Sequence, residues 1–224
     1  MPINLDSIFE KIDRAASKTG RSLSDITLVA ATKTVDIQRI RNVVKSGVKD
    51  IGENRVQELL QKYDKDLEVN WHFIGHLQTN KVKYIVDKVC LIHSVDSLSL
   101  AEEINRRAEK IGKIQEVLIQ INLLSEVAKS GVLPEKSHQL ITEVSKLPSV
   151  KIMGLMFMPP VCHDAKLVKR NFMSFYDFFI DISEKKYDNV IMSYLSMGMS
   201  DDYELAIESG ATHIRIGRAV FGER

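Results

Sequence analysis

Eight short apolar runs alternate with amphipathic stretches along this chain, and the alternation restricts its fold more than any other feature. The runs fall at 26–32, 48–53, 71–75, 90–95, 115–123, 151–157, 190–196 and 213–217. Each is short and bounded, as a buried strand should be. Between them, 36–46 places Ile37, Ile40, Val43 and Val44 on one helical face and stops at Gly47. The stretch 97–112 sets Leu98, Ala101, Ile104 and Ala108 opposite Glu102, Glu103, Arg106 and Arg107, with Gly112 closing it. A third, 134–147, opens with a proline suited to a first helical turn.

Such alternation calls for parallel βαβ units, which close as an open doubly wound sheet or as a (β/α)8 barrel. A barrel takes about 250 residues as a rule and at least about 200, and the chain has 224. No GxGxxG follows the first run to recommend the open sheet. The last run ends near Arg218 and leaves no room for an eighth helix, while a helix predicted over 3–18 precedes the first run. The expected fold is therefore α/β, a single (β/α)8 TIM barrel over 1–224 with the N-terminal helix in the last helical position. No internal repeat, low-complexity segment or linker marks a second domain.

Composition narrows the function classes. Lys and Arg total 31 against 30 Asp and Glu, a net charge of +1, so no global charge favours nucleic acid or membrane partners. Lys81 and Lys83 read as a solvated helix face rather than a basic patch. Cys90 and Cys162 have neither CxxC nor Cys–His spacing, which argues against zinc or a disulfide framework and fits a reducing compartment. No apolar run approaches the roughly 18 residues of a membrane span. "MPINLDSIFEKIDRAA" spaces Ile3, Leu5, Ile8, Phe9 and Ile12 helically and lacks a cleavable apolar core. A cytoplasmic protein is expected.

In a parallel barrel the chemistry gathers where strands end, at the C-terminal mouth. The first run ends in Lys33 of "VAATKTVD", the second enters "GENR" with Asn54, and the third ends "FIGH" with His76. The sixth ends "MFMPP", the seventh runs to Ser200 in "SMGMS" before Asp201 and Asp202, and the eighth gives "HIRIGRA". Loops after strands seven and eight, with a helix N-terminus, often bind phosphate in such barrels. Gly198 would permit close backbone approach, Ser200 supplies a hydroxyl, and Gly217 with the next N–H completes a cradle. The other reading makes both glycines turn formers and Ser200 a helix cap. Facing such a cradle, Lys33 can pair with the phosphate or bond through its amine to a carbonyl. Burial would favour the neutral, nucleophilic amine, and the small Ala30, Ala31 and Thr32 leave room beside it for a planar ligand. A lysine that merely snorkels from the barrel end is the bland alternative.

Taken together, these residues resemble the pyridoxal phosphate homeostasis proteins over nearly the whole chain. The resemblance runs in order through "VAATKT", "IGENRVQEL", "WHFIGHLQTNK", "LIHSVDS", "KSGV", "GLMFMPP", "LSMGMSDDYELAI" and "RIGRAVFG". It implies a barrel like the N-terminal domain of alanine racemase, holding pyridoxal 5′-phosphate as an internal aldimine. It makes Lys33 the Schiff-base lysine, Ser200 and Gly217 phosphate contacts, and Asn54 a neighbour of the cofactor ring. Arg218 stands where many relatives have threonine, so a backbone N–H contact is implied there, not a hydroxyl one. Arg215 matches the arginine facing the pyridine nitrogen. His76 lies in a family motif near the pocket and reads equally as a structural residue.

An arginine in that place carries a consequence. Guanidinium offers only donors and keeps its protons, so it leaves the pyridine nitrogen unprotonated. That weakens the electron sink on which most chemistry of this cofactor relies. Alanine racemase covers its site with a second domain, whereas this sequence stops at Arg224, so no lid in cis is expected. The function implied is a cofactor binder and carrier, without catalytic turnover and without a metal. It would buffer pyridoxal phosphate and pass it transiently to apo-enzymes, as a cytoplasmic monomer. A single-domain pyridoxal-phosphate racemase or eliminase is the alternative, and a Schiff-base aldolase acting on a phosphorylated sugar is a third.

Overall fold

β1 (Thr27–Ala31) pairs in parallel with β2 (Asp50–Glu53) on one side and β8 (His213–Ile216) on the other, which closes the sheet on itself. Around the ring between them run β3 (Asn70–Phe73), β4 (Leu91–Val95), β5 (Gln115–Ile121), β6 (Val150–Phe157) and β7 (Val190–Ser196), in chain order. This computed structural model describes residues 5–125, 130–160 and 162–222; Ile3, Lys129 and Arg224 of the sequence motifs lie outside them. Each predicted apolar run coincides with one strand, to within a residue or two at its ends.

Helices α1 (Leu5–Ser17), α2 (Ile37–Lys45), α3 (Val56–Lys62), α4 (Leu98–Glu109), α5 (Pro134–Ser145), α6 (Ala165–Ser183) and α7 (Tyr203–Glu208) accompany the strands. Asp36 caps α2 by accepting the Arg39 N–H at 3.0 Å, and Gly47 ends the turn after it at φ +99°. Two details depart from expectation. The connection between β3 and β4 is a 3-10 helix over Thr79–Tyr84, which carries Lys81 and Lys83. After β8 there is room for one helical turn, α8 (Arg218–Phe221), so Arg218 opens a helix instead of ending a strand. α1 packs against both α7 and α8 and fills the last position of the outer ring.

The strands sort their side chains by alternation. Leu28, Ala30, Ile51, Trp71, Phe73, Ile92, Val117 and Ile119 join Ile40, Leu59, Ile104 and Phe172 of the helices in one continuous apolar core. The other face of each strand looks into the barrel, and its contents differ. Leu91, Leu118, Met153 and Met156 form one small apolar cluster, and Val29, Ala31 and Ile74 another. Buried beside them are His72, His93, Ser196, His213 and Arg215. Barrel interiors are usually filled by bulky branched side chains, and a buried polar group costs about 1–3 kcal/mol unless it finds a partner. The partners present here organise the site. Among the described residues, no helix is long and apolar enough to cross a membrane.

Candidate functional site

A cavity of about 240 Å³ opens at the C-terminal mouth of the barrel. Lys33, Asn54, Ser200, Arg215, Gly217 and Arg218, the six residues singled out in the sequence, all line it, together with Ala31, Ile74, Met158, Met199 and Asp201. Size does not set it apart, since a depression of about 490 Å³ lies beside Met173, Tyr176 and Gly210. Position and chemistry do. His76 is outside this cavity: it is exposed and lines a depression of about 170 Å³ with Asn54, Arg55 and Lys81, its Nδ1 3.4 Å from the Ser130 hydroxyl.

At one end the Ser200 hydroxyl oxygen accepts the backbone N–H of Gly217 at 3.2 Å and of Ala219 at 3.4 Å. Ser200 therefore bridges to the turn after β8 and does not cap α7. Asp202 stands at that helix start, accepting the Met199 N–H at 2.6 Å. Burial raises the Asp202 carboxyl above the usual range, against the opposing pull of that N–H and of Arg215. The expected close approach at Gly198 is corrected. Its φ is +92°, and a Cβ there would lie 2.5 Å from that of Ala206, so this glycine lets the loop after β7 pack on α7. Gly217 at φ −109° is not conformationally demanding. The exposed Arg218 side chain pairs with Asp201, which leaves the turn's backbone amides facing Ser200.

Lys33 sits just past β1, the strand next to β8, so it neighbours the Gly217 turn on the rim instead of facing it across the mouth, and it is exposed. The expectation of a buried amine is thus overturned: the strand ends two residues earlier, and Lys33 stands in the loop beyond it. Of the small residues before it, only Ala31 lines the cavity; Ala30 belongs to the outer core and Thr32 turns toward Glu53. The turn around Lys33 is nonetheless held firmly. Lys62 of α3 donates to the Thr32 carbonyl at 2.9 Å, to Glu53 at 2.7 Å and to Glu58 at 2.9 Å. Glu53, wholly buried, also accepts the Thr32 hydroxyl at 2.6 Å, and Glu58 accepts the Thr34 N–H at 2.6 Å. Thr34 takes a φ of +60°, left-handed for a β-branched residue. The clamp thus holds the residues on both sides of Lys33.

Arg215 lies on β8, two residues before Gly217, and is 5% exposed. Its guanidinium donates to the Ser196 hydroxyl at 2.6 Å and to the Phe157 carbonyl at 3.0 Å. Burial lowers it to about 10, which leaves it charged at neutral pH. The Asn54 N–H donates to Glu53 at 3.2 Å, while its side-chain Oδ1 is buried with no partner among the described residues. Gly75, unremarked in the sequence, explains why Asn54 is where it is: a Cβ at Gly75 would fall 2.2 Å from the Asn54 carbonyl oxygen. Ile74, Met158, Met199 and the Glu53–Lys62–Glu58 clamp were also missed. "FIGH" held a signal for the first, since Ile74 follows His72 by two and shares its inward face.

A barrel with a lysine after its first strand and a serine–amide turn after its last two defines a class, and residues 3–224 match the family model described as the N-terminal domain of alanine racemase. Within that class, the chain belongs to the family of pyridoxal phosphate homeostasis proteins. It is 46% identical over 222 residues to the protein of that name from Aquifex aeolicus, covering 98% of this chain and 96% of the relative. The Pseudomonas aeruginosa protein of that name is 35% identical over 223 residues, covering 99% and 94%. Among solved structures, PipY of Synechococcus elongatus PCC7942 with PLP bound superposes with a TM-score of 0.82 at 32% identity, covering 95% of this chain and 100% of PipY.

Proposed function

We propose that this chain holds pyridoxal 5′-phosphate at the barrel mouth, joined to Lys33 as a Schiff base, and maintains the supply of that cofactor without catalytic turnover. One observation carries the reading: a single cavity is lined by Lys33, the Ser200–Gly217 turn and Arg215, with Lys33 and Gly217 following the adjacent strands β1 and β8. The donor set fits the cofactor. The Ser200 hydroxyl on the turn after β8 suits the phosphate, a primary amine suits the aldehyde, and the orphaned Asn54 Oδ1 stands ready for a donor. The linkage forms when the amine nitrogen bonds to the aldehyde carbon and one water leaves, and it reverses when water or a second amine arrives. The exposure of Lys33 keeps that return route open, whereas a catalytic site closes to water. Apo-enzymes as transient recipients, a monomeric state and a cytoplasmic location complete the proposal.

Borohydride reduction of the purified chain, followed by peptide mapping, tests it. One cofactor per chain is expected, on the peptide containing Lys33, and amino acids offered to the loaded protein should turn over no faster than with free cofactor. An adduct on another peptide, or turnover above that background, overturns the reading. Arg215→Glu should shift the visible absorption band of the bound cofactor by allowing its ring nitrogen to protonate. It should also cost about 3 kcal/mol in urea denaturation, since Ser196 and the Phe157 carbonyl lose a charged donor. An unchanged band would place Arg215 away from the ring.

A further inference from the structure

Behind Arg215 an unbroken line of buried side chains crosses the barrel interior to its other end. Arg215 donates to Ser196 Oγ, which lies 2.9 Å from His93 Nδ1. His93 Nε2 lies 3.0 Å from His72 Nδ1, and His72 Nε2 lies 3.0 Å from Asp50 Oδ1. Ser196 and His93 are wholly buried and His72 nearly so, whereas the Asp50 side chain, at the N-terminal end of β2, is 22% exposed. Asn70 gives Asp50 a second hydrogen bond at 3.0 Å.

The two ends fix the direction of the outer links, and the charge of His72 fixes that of the links between them. A guanidinium only donates, and a carboxylate only accepts. His72 must therefore give its Nε2 hydrogen to Asp50. When His72 is charged it also gives its Nδ1 hydrogen to His93, which must then carry its own hydrogen on Nδ1 and give it to Ser196. The Ser196 oxygen then takes two donors, His93 and Arg215. When His72 is neutral the line reverses: His93 carries its hydrogen on Nε2, and the Ser196 hydroxyl donates to His93 Nδ1. A hydroxyl that donates onward is the stronger acceptor, because successive hydrogen bonds polarise one another, and one shared by two donors is the weaker.

We propose that Ser196, His93 and His72 are positioning residues for Arg215, a relay that sets how strongly the guanidinium is held by Ser196 and how far it is given to the ring nitrogen of the bound cofactor. The proposal rests on the reading that the cofactor ring faces Arg215. His72 is the link that changes charge. Burial opposes its protonation, but the Asp50 carboxylate and the neighbouring Cys90 outweigh that and hold it up at about 9. The other groups facing it are His93, His213 and, beyond them, Tyr194 and Arg215. Burial, with His72 next in weight, holds His93 well below the ordinary range and His213 down at about 3, so both stay neutral. Below about pH 9 the shared form of Ser196 is populated, and above it the donating form.

Long-range proton–nitrogen NMR on the full, cofactor-free chain reads the relay without any activity. The His93 hydrogen should move from Nδ1 to Nε2 with the same midpoint at which His72 loses its proton. In the loaded protein the cofactor's absorption band should shift across that same midpoint. Ser196→Ala should abolish that shift while keeping the borohydride-trapped adduct, and Ser196→Thr, which restores a hydroxyl, should bring it back. A His93 tautomer that stays fixed while His72 titrates overturns the relay, as does a band shift that survives in Ser196→Ala. Linked histidines in a chain that traps no cofactor would instead mark the failure of the cofactor reading, and the positioning role would fall with it.

Discussion

Lys33→Ala should yield a folded barrel from which borohydride traps no cofactor at all. Lys33 is exposed and makes no part of the apolar core, so the substitution should change stability by less than about 0.5 kcal/mol. The turn around it is held through Thr32 and Thr34, not through the lysine side chain. Loss of the amine therefore removes the covalent bond and little else. Non-covalent binding should persist in part, because Ser200 and the amides of Gly217 and Ala219 are untouched. The nearby amine of Lys62 cannot substitute, being only 11% exposed and committed to three acceptors. Intact mass after reduction and a thermal melt decide the matter. A retained adduct would mean that a different lysine carries the bond.

The parts of this picture that could be read from the sequence are those set by local pattern. Strand runs such as 26–32 and 190–196 announce themselves because a barrel strand with a helix-facing side must carry apolar residues at short period. Five of the six mouth residues were accessible for a related reason, since parallel closure puts every strand's C-terminal end on one rim, whereas Arg215 was singled out only by the family resemblance. What stayed hidden depended on pairing across the fold. Nothing in "GENR" says that Glu53 is buried, because its partner Lys62 lies nine residues on, inside an ordinary helical stretch. Nor could the exposure of Lys33 be read from the apolar run before it. Whether a residue just past a strand end is buried or exposed depends on the path of the loop, which here includes Thr34 at φ +60° directly after Lys33. Inward histidines at 72, 93 and 213 sit in runs that read as simply apolar, and their alignment depends on barrel register.

That exposure changes where the amine's usefulness comes from. A buried lysine gains nucleophilicity from desolvation; an exposed one at a cavity rim must rely on geometry. The effective concentration of an amine held beside its target can far exceed that of a free lysine, provided the turn is rigid. Here the rigidity is supplied from below, by a carboxylate that cannot reach water and an ammonium that answers it. On the proposed reading, the same arrangement would let an open site hold a reactive aldehyde and still release it. The backbone is fixed, while the side chain proposed to make the bond is exposed and so accessible to competing amines.

Lys62→Met should lower stability by about 3–5 kcal/mol, the cost of leaving one partner of a buried ion pair uncompensated. For a chain of this length that is roughly 10 °C in melting temperature. Glu53 would keep only the Thr32 hydroxyl and the Asn54 N–H as donors, too little for a carboxylate removed from water. Cofactor retention should fall as well, by a separate route. Thr34 stays in the left-handed region against a penalty of about 1–2 kcal/mol, held by the bond from its N–H to Glu58, which Lys62 anchors. The double variant Glu53→Gln/Lys62→Met separates the two effects. Removing the stranded charge should recover more than half of the lost stability, while the Thr32 carbonyl and Glu58 remain without their ammonium and the trapped cofactor stays low. Urea denaturation and borohydride trapping on the three proteins provide the readout. If Lys62→Met melts within about 2 °C of the parent, the pair is not sealed from water and the clamp beneath Lys33 does not exist.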